Sequence, residues 1–305
     1  MSTSCLFEEP WWLDAVAPGA WDAVTVEKKG RVVGRLPYVM GKRAGMSAIL
    51  SPPLTPTLGP WVEQSKGTYT RRLTQEMKIV GELFDALPAV SAHYQQLTPS
   101  LMSTMPLHWR GSTATPRYTY RIHDLSDLDA VRAGFTTSAR GWVKKAEKQY
   151  EVRDDRELDV LLRLSAQSLE RSGAGGALSE DLVRRVDAAL AERGQRRLLV
   201  AEDSAGDAHA AVYLAWDSRC LYQLIAGHAA ESRGGGAPSL LHWEAMKFAS
   251  GVAEIFDCEG SMLPGVEQFF RSFGGQQQQY FAISKESRWL KPVSALRNAI
   301  RAGSS

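Results

Sequence analysis

The stretch that most restricts what this chain can become runs from residue 197 to residue 258. Three β runs, 197–202, 208–216 and 220–226, follow one another across the short turns 203–207 and 217–219. Connections this short join antiparallel neighbours. Gly234, Gly235 and Gly236 then lead into a helix opening near Pro238, with Leu241, Met246 and Phe248 in its apolar set. Proline suits a first helical turn, where its missing N–H would have no partner anyway. A strand over 254–258, a helix over 265–273 and a strand over 280–284 complete the run. Two amphipathic helices, 155–171 and 179–193, precede it, with the flexible glycine stretch 173–176 between them. Ser179 suits an N-cap and Gly194 a helix stop. The order helix-helix, three antiparallel strands, glycine turn, helix, strand, helix, strand is an α/β pattern with mixed pairing.

The first third reads differently. Residues 22–27 and 31–38 form a hairpin about the turn Lys28, Lys29, Gly30. Four prolines between 51 and 60 leave no usable period, which predicts an ordered loop or extended segment. Leu73, Met77, Val80, Leu83, Phe84 and Leu87 recur at helical spacing, with Arg71, Arg72 and Lys78 off that stripe. The small, polar segment 110–116 ends in proline and is the expected interdomain joint. A strand at 118–122 and a helix at 126–132 follow it. A second helix, 138–149, sets Trp142, Val143 and Ala146 on one side, and Arg140, Lys144 and Lys148 share another face at i, i+4, i+8. Gln276 to Gln279 reads as a short loop, and 291–302 as a final helix.

Composition narrows the function. The chain of 305 residues has 36 Lys+Arg against 34 Asp+Glu, a net charge of +2, which excludes a wholesale cationic nucleic-acid binder and permits a local basic stripe. Its 44% hydrophobic and 23% charged residues exclude a mostly disordered chain. Cys5, Cys220 and Cys258 form no CxxC, which points to a reducing compartment and away from a zinc ribbon. The six histidines show no HxxxH or HxH spacing, so no metal site is expected. No GxSxG elbow is present. No apolar run approaches the ~18 residues of a membrane span, and Glu8 and Glu9 stand where a secretory leader would be basic then apolar. A cytoplasmic protein without membrane insertion is expected.

Three features carry chemistry. The glycine turn leaves backbone N–H groups able to approach an anion at a helix N-terminus, as a coenzyme A pyrophosphate would require. The spacing usual for that ligand fails here, because Pro238 stands two places after Gly236. Asp257 and Glu259, on one strand face with Cys258 opposite, are two carboxylates suited to binding an ammonium or accepting its proton. Cys258 reads as buried filler, with no histidine at recognisable spacing. Arg140, Lys144, Lys145 and Lys148, with Lys285, Arg288, Lys291, Arg297 and Arg301, would form a stripe for phosphates if the two surfaces met.

Residues 220–282 resemble the C-terminal domain of the Fem-type transferases, the peptidoglycan-bridge aminoacyltransferases and their relatives. The likeness is carried by Tyr222, Gly227, Ala237, Pro238, Leu241, Trp243, Glu244, Ala249, Gly251, Asp257, Gly260, Phe269, Phe273 and Gly274. Ser138, Arg140, Lys144, Lys145 and Ala146 match the family's serine, arginine, lysine-alanine helix, and Trp12, Asp14, Gly30, Pro37, Pro53 and Gly59 fit more loosely. The resemblance implies an α/β protein of two tandem GNAT-like (acetyltransferase-type) domains, mixed sheets flanked by helices, over residues 1–116 and 117–305, with the donor site in the second. It implies transfer of an amino acid from aminoacyl-tRNA, a co-substrate in place of a cofactor, to an amine on a peptide-type or nucleotide-linked acceptor, with transient contact to biosynthetic carrier proteins. A coenzyme A thioester donor is the alternative, and a non-catalytic tandem binding protein a further one.

On that footing Glu259, Arg271 and Asp257 are the expected catalytic residues. Glu259 takes the amine proton, and Arg271 or a strand N–H faces the oxyanion. Arg35, Tyr38, Ser138, Arg140, Lys144, Tyr222, His228 and Ser261 are expected to bind substrate, and Lys145, Lys148, Arg288, Lys291 and Arg297 the tRNA. Two departures from the family pattern stand out. Phe269-Phe270 replaces its phenylalanine-lysine pair, leaving Arg271 as the nearest cation, and no sustained heptad run provides the helical arm of some tRNA-using members. Both leave room for a smaller acceptor than a peptidoglycan bridge.

Overall fold

Lys29 and Gly30, at φ 52° and 72°, turn the chain between β1 (Trp21–Lys28) and β2 (Arg31–Arg43), the antiparallel hairpin expected from the sequence. The computed structural model describes residue 3 and residues 5–154, 156–172 and 178–287. They divide into two units, one holding the chain up to Arg117 together with the strand residues from Gln279, the other holding Tyr118–Gln278.

In the first unit, α1 (Pro10–Val16) precedes the hairpin, and β3 (Met46–Ile49), β4 (Trp61–Val62), α2 (Tyr69–Asp85), β5 (Ala92–Gln96) and α3 (Met105–Trp109) follow it. The last strand among the described residues, β12 (Gln276–Glu286), lays its residues 282–286 antiparallel on β5. The strand order is β1-β2-β3-β5-β12, with β4 on β2. Thr68 caps α2 by accepting the Arg71 N–H, and the helix buries Ile79 and Leu83 against Val33 and Leu36 of β2.

The second unit runs β6 (Thr113–Ile122, whose first residues lie in the other unit), α4 (Leu128–Ala133), α5 (Thr137–Ala146), β7 (Glu151–Arg153), α6 (Leu158–Ser172), α7 (Glu180–Ala191), β8 (Arg196–Glu202), β9 (Ala208–Trp216), β10 (Cys220–His228), α8 (Ala237–Ala249), β11 (Ile255–Asp257) and α9 (Pro264–Arg271). Its strands lie in the order β6-β11-β10-β9-β8-β7. All neighbours are antiparallel except β10 and β11, which α8 connects as a crossover. Val143 of α5, Leu241 and Met246 of α8, Phe270 of α9, Leu221 of β10 and Phe256 of β11 are buried in one cluster. Ser179 caps α7 through the Leu182 N–H, and Gly194 closes it at φ 63°.

Three expectations change. The segment 110–116 is not a free joint, because Thr113, Thr115 and their neighbours already form β6, and the division between units falls within that strand. The glutamine run is the first part of β12, where backbone pairing overrides a composition poor in β-formers. The expected second domain, 117–305, loses its described end to the first unit, since β12 residues pair with β5. The expected flexible residues 173–176 and the final helix lie outside the described residues.

Candidate functional site

The second unit's two parallel strands part company. Cys220, Leu221 and Tyr222 of β10 register with Ile255, Phe256 and Asp257 of β11. There β11 ends, while β10 shifts register between Gln223 and Ile225 and continues to His228. Alternation then places different chemistry on the two faces at this fork.

On one face, Asp257 is buried and every oxygen is held. Its Oδ1 accepts from Thr119 Oγ1 at 2.5 Å and from the Glu259 N–H at 2.8 Å, and its Oδ2 from Arg121 Nε at 2.7 Å. Burial opposes the Arg121 charge, but Asp257 beside it wins and raises the guanidinium's pKa further. Tyr222 lies in register with Asp257 and donates its hydroxyl to Asp217 Oδ2 at 3.3 Å.

Glu259 follows in the left-handed region, at φ 62°, a conformation that is uncommon outside glycine and marks functional or strained positions. Gly260 comes next at φ 63°. A Cβ there would stand 2.1 Å from the Tyr118 carbonyl oxygen, so only glycine lets this turn press onto β6. The result aims Glu259 inward with Oε1 buried and without a partner. Burial, and then the charge of Asp257, push its carboxyl well above the ordinary range, with Arg121 opposing.

The opposite face holds a neutral chain. Nδ1 of His242 lies 2.7 Å from Gln223 Oε1, and its Nε2 lies 3.7 Å from Cys258 Sγ. His242 is wholly buried among Phe256, Phe269, Phe270 and Phe273, and burial lowers its pKa to about 3. The same burial, and then Asp257, raise the Cys258 thiol. Cys258 is therefore buried as expected, but it does have a histidine partner, sixteen residues back on α8. Only the fold brings these two together.

The other expected residues scatter. Arg271 is exposed and bound to Glu267, Nε to Oε1 at 2.8 Å, and Glu267 also accepts the Tyr120 hydroxyl at 2.5 Å. Arg140 donates to the carbonyls of Ala133 and Phe135, tying the α4–α5 loop. Lys145 donates to the Gly234 carbonyl at 2.6 Å. Ser138 and Lys144 are exposed on α5; the expected helix to 149 ends at Ala146, so Lys148 is exposed in the turn beyond it and off the Arg140 and Lys144 face. Ser261 accepts the Leu263 N–H ahead of α9. His228 sits at the far end of β10, its N–H donated to Ser168 Oγ and its carbonyl accepting from Arg171, near a cavity of about 650 Å³ lined by Arg163, Arg171, Asp203 and His209 among others. Arg35 and Tyr38 belong to β2 in the first unit, where Arg35 Nη1 donates to the Glu8 carbonyl and Tyr38 donates to Asp22. Arg288, Lys291 and Arg297 lie outside the described residues, as does Arg301. Thr119 and Arg121 were missed by sequence reasoning. The alternation of strand 118–122 sets them on one face, but nothing local names Asp257 as their partner.

The glycine turn before α8 is filled by α5 and the residue beyond it. A Cβ on Gly235 would stand 1.9 Å from Tyr150 Oη, and one on Gly236 would stand 2.7 Å from the Trp142 carbonyl oxygen. Gly236, at φ 82° against a backbone carbonyl, is required by this packing, Gly235 gives room to the Tyr150 hydroxyl, and Gly234 meets nothing within 4 Å. Among the described residues no group of three or more His, Cys, Asp or Glu side chains is gathered as metal ligands would be.

Residues 134–271 match the acetyltransferase (GNAT) domain family. The structure of FemX superposes with a TM-score of 0.64 at 14% identity, over 90% of this chain and 91% of that one. The chain has a tandem GNAT fold. L-PGS from Bacillus licheniformis is similar at TM-score 0.52 and 13% identity, over 87% of this chain and 84% of that one. A tandem GNAT protein from the clavulanic acid biosynthesis pathway is similar at 0.51 and 12%, over 88% and 84%. The sequence has no significant match among curated proteins. The α/β tandem architecture and the Fem-type likeness read from the sequence agree with these findings. No helix among the described residues is long and apolar enough to cross a membrane.

Proposed function

We propose that the protein transfers an amino acid from aminoacyl-tRNA to the amine of a small peptide-type or cell-wall precursor acceptor, forming an amide. The observation that carries this reading is the glycine turn. Gly235 and Gly236 accommodate Tyr150 and Trp142, and the Gly234 carbonyl is engaged by Lys145, so the feature that spoke for a coenzyme A donor has another physical cause. The likeness to FemX and the Fem-type residues around Asp257 and Gly260 support the aminoacyl donor.

The amine nitrogen attacks the ester carbonyl carbon. A C–N bond forms, and the ribose oxygen leaves with its electron pair and takes up a proton. An activated ester needs chiefly to be held beside the amine. Glu259 receives the amine proton: its Oε1 is buried and unpartnered, and burial raises its carboxyl pKa, so its ionised form takes up a proton more readily than an exposed glutamate would. Arg271 is committed to Glu267, so we assign the oxyanion to a backbone N–H of β10 beyond Tyr222, where the β11 partner has ended. Asp257 positions Glu259 by accepting its N–H.

The test supplies the protein with radiolabelled aminoacyl-tRNAs or, separately, labelled acyl-CoAs, each with short amine-bearing peptides and a nucleotide-linked muramyl peptide. RNase-sensitive movement of label from tRNA to the amine is the expected result. Transfer from acyl-CoA alone would replace this reading with a coenzyme A-dependent one. Transfer from neither would favour a non-catalytic tandem binding protein.

A further inference from the structure

The first unit carries a shallow, open cavity of about 480 Å³ between β1 and α2. Lys28 of β1 and Arg71 and Lys78 of α2 line it, together with Thr68, Thr70, Thr74 and Gln75. No carboxylate and no apolar side chain contributes to its wall. Lys28 and Arg71 have no side-chain partner among the described residues, and Lys78 reaches Glu82 only at 3.9 Å, with both groups well exposed. Three cations from two elements line this one hollow, with the exposed Glu82, 3.9 Å from Lys78, only a weak counter-charge, and an anion relieves their mutual repulsion. The first turn of the 17-residue α2 adds its own positive end.

The shape narrows the anion. Arg71 and Lys78 are seven residues apart, roughly 10 Å along the helix, so the hollow spans more than one phosphate. Tyr69, between the lining residues Thr68 and Thr70 in the chain, is 62% exposed and offers a ring on which a base can stack. A lipid-surface reader would set apolar anchors among the cations, and the lining has none. We propose that this cavity binds consecutive backbone phosphates of RNA, with Tyr69 stacking on an adjacent unpaired base. The assignment rests on the aminoacyl-tRNA reading and places part of the donor's body on the first unit.

The test measures binding of deacylated tRNA to the full chain across a salt series, alongside the transfer assay above. In Lys28→Gln/Arg71→Gln/Lys78→Gln the dissociation constant at about 0.1 M salt rises at least ~10-fold, and the slope of log K against log salt shrinks by about two to three. Arg71→Lys, which keeps the charge, retains the slope. Tyr69→Ala weakens binding with the slope unchanged. These side chains are mostly exposed, so the melting temperature of each variant stays that of the parent protein. If the triple variant binds tRNA as tightly and with the same slope, the cavity is not the site, while RNase-sensitive transfer still upholds the donor reading. If the parent protein binds no tRNA and transfers only from acyl-CoA, both readings fall. If the triple variant loses binding to phosphatidylglycerol vesicles and keeps tRNA binding, the cavity belongs to a lipid surface and the proposal is overturned.

Discussion

Two faces of the same forked strands solve the burial of polar groups in opposite ways. On the Asp257 face a full charge is buried and balanced by Arg121, with Thr119 and the Glu259 N–H filling the remaining acceptor positions. One oxygen, Glu259 Oε1, stays unsatisfied. On the Cys258 face no charge is buried at all. Gln223, His242 and Cys258 form a neutral chain wrapped in phenylalanines. A buried unpaired acceptor costs free energy whatever its role, whereas a closed neutral chain costs little. In the function proposed above, reactivity belongs to the charged face and packing to the neutral one.

The largest effect is expected where that balance is charged. Asp257→Ala strands Arg121 and lowers stability by about 3–5 kcal/mol, read from the denaturant midpoint at constant slope. A loss under 1 kcal/mol would mean that the Arg121 charge is solvated some other way. Glu259→Gln should lower the transfer rate constant by about 10²-fold or more with little change in KM, and remove the rise of rate with pH that a raised carboxyl pKa produces. Unchanged turnover would return Glu259 to a structural role.

The same substitution has a stability signature of known sign. The folded protein holds the Glu259 proton to higher pH than the unfolded chain does. Stability is therefore lost as pH rises above the ordinary glutamate range near 4.3, until the folded carboxyl ionises. Glu259→Gln should melt a few degrees above the parent at neutral pH and level with it near pH 4, as calorimetry would read. On the neutral face the changes are smaller. His242→Leu leaves Gln223 Oε1 buried and unpaired, costing about 1–3 kcal/mol without a selective loss of rate. Cys258→Ala costs about 1 kcal/mol and leaves transfer intact. A large loss of rate in either would erase the distinction between the faces.

Much of the frame could be read along the chain. The 22–38 hairpin, α2, the capped α7 and the run from β8 through α8 follow from period, turn chemistry and glycine placement. So did the pair Asp257 and Glu259 as neighbours. What was misjudged depends on partners far away in sequence. The glutamine run became strand because a neighbouring backbone was there to pair with it; Arg271 is the exception, bound to Glu267 only four residues back on α9, which in turn accepts the Tyr120 hydroxyl from β6. The cationic cavity of the first unit combines Lys28 with residues more than forty positions later, which no window on the sequence joins.

The sequence by itself determined the α/β order of elements, the near-zero net charge and the two carboxylates two residues apart at a strand end, because these follow from local sterics and periodicity. Only the tertiary structure decided which carboxylate is bound and which is left over. That choice depends on Arg121 and Thr119 reaching one oxygen pair and not the other, on a left-handed turn that only Gly260 lets close against β6, and on a burial that changes what a carboxyl group prefers to be.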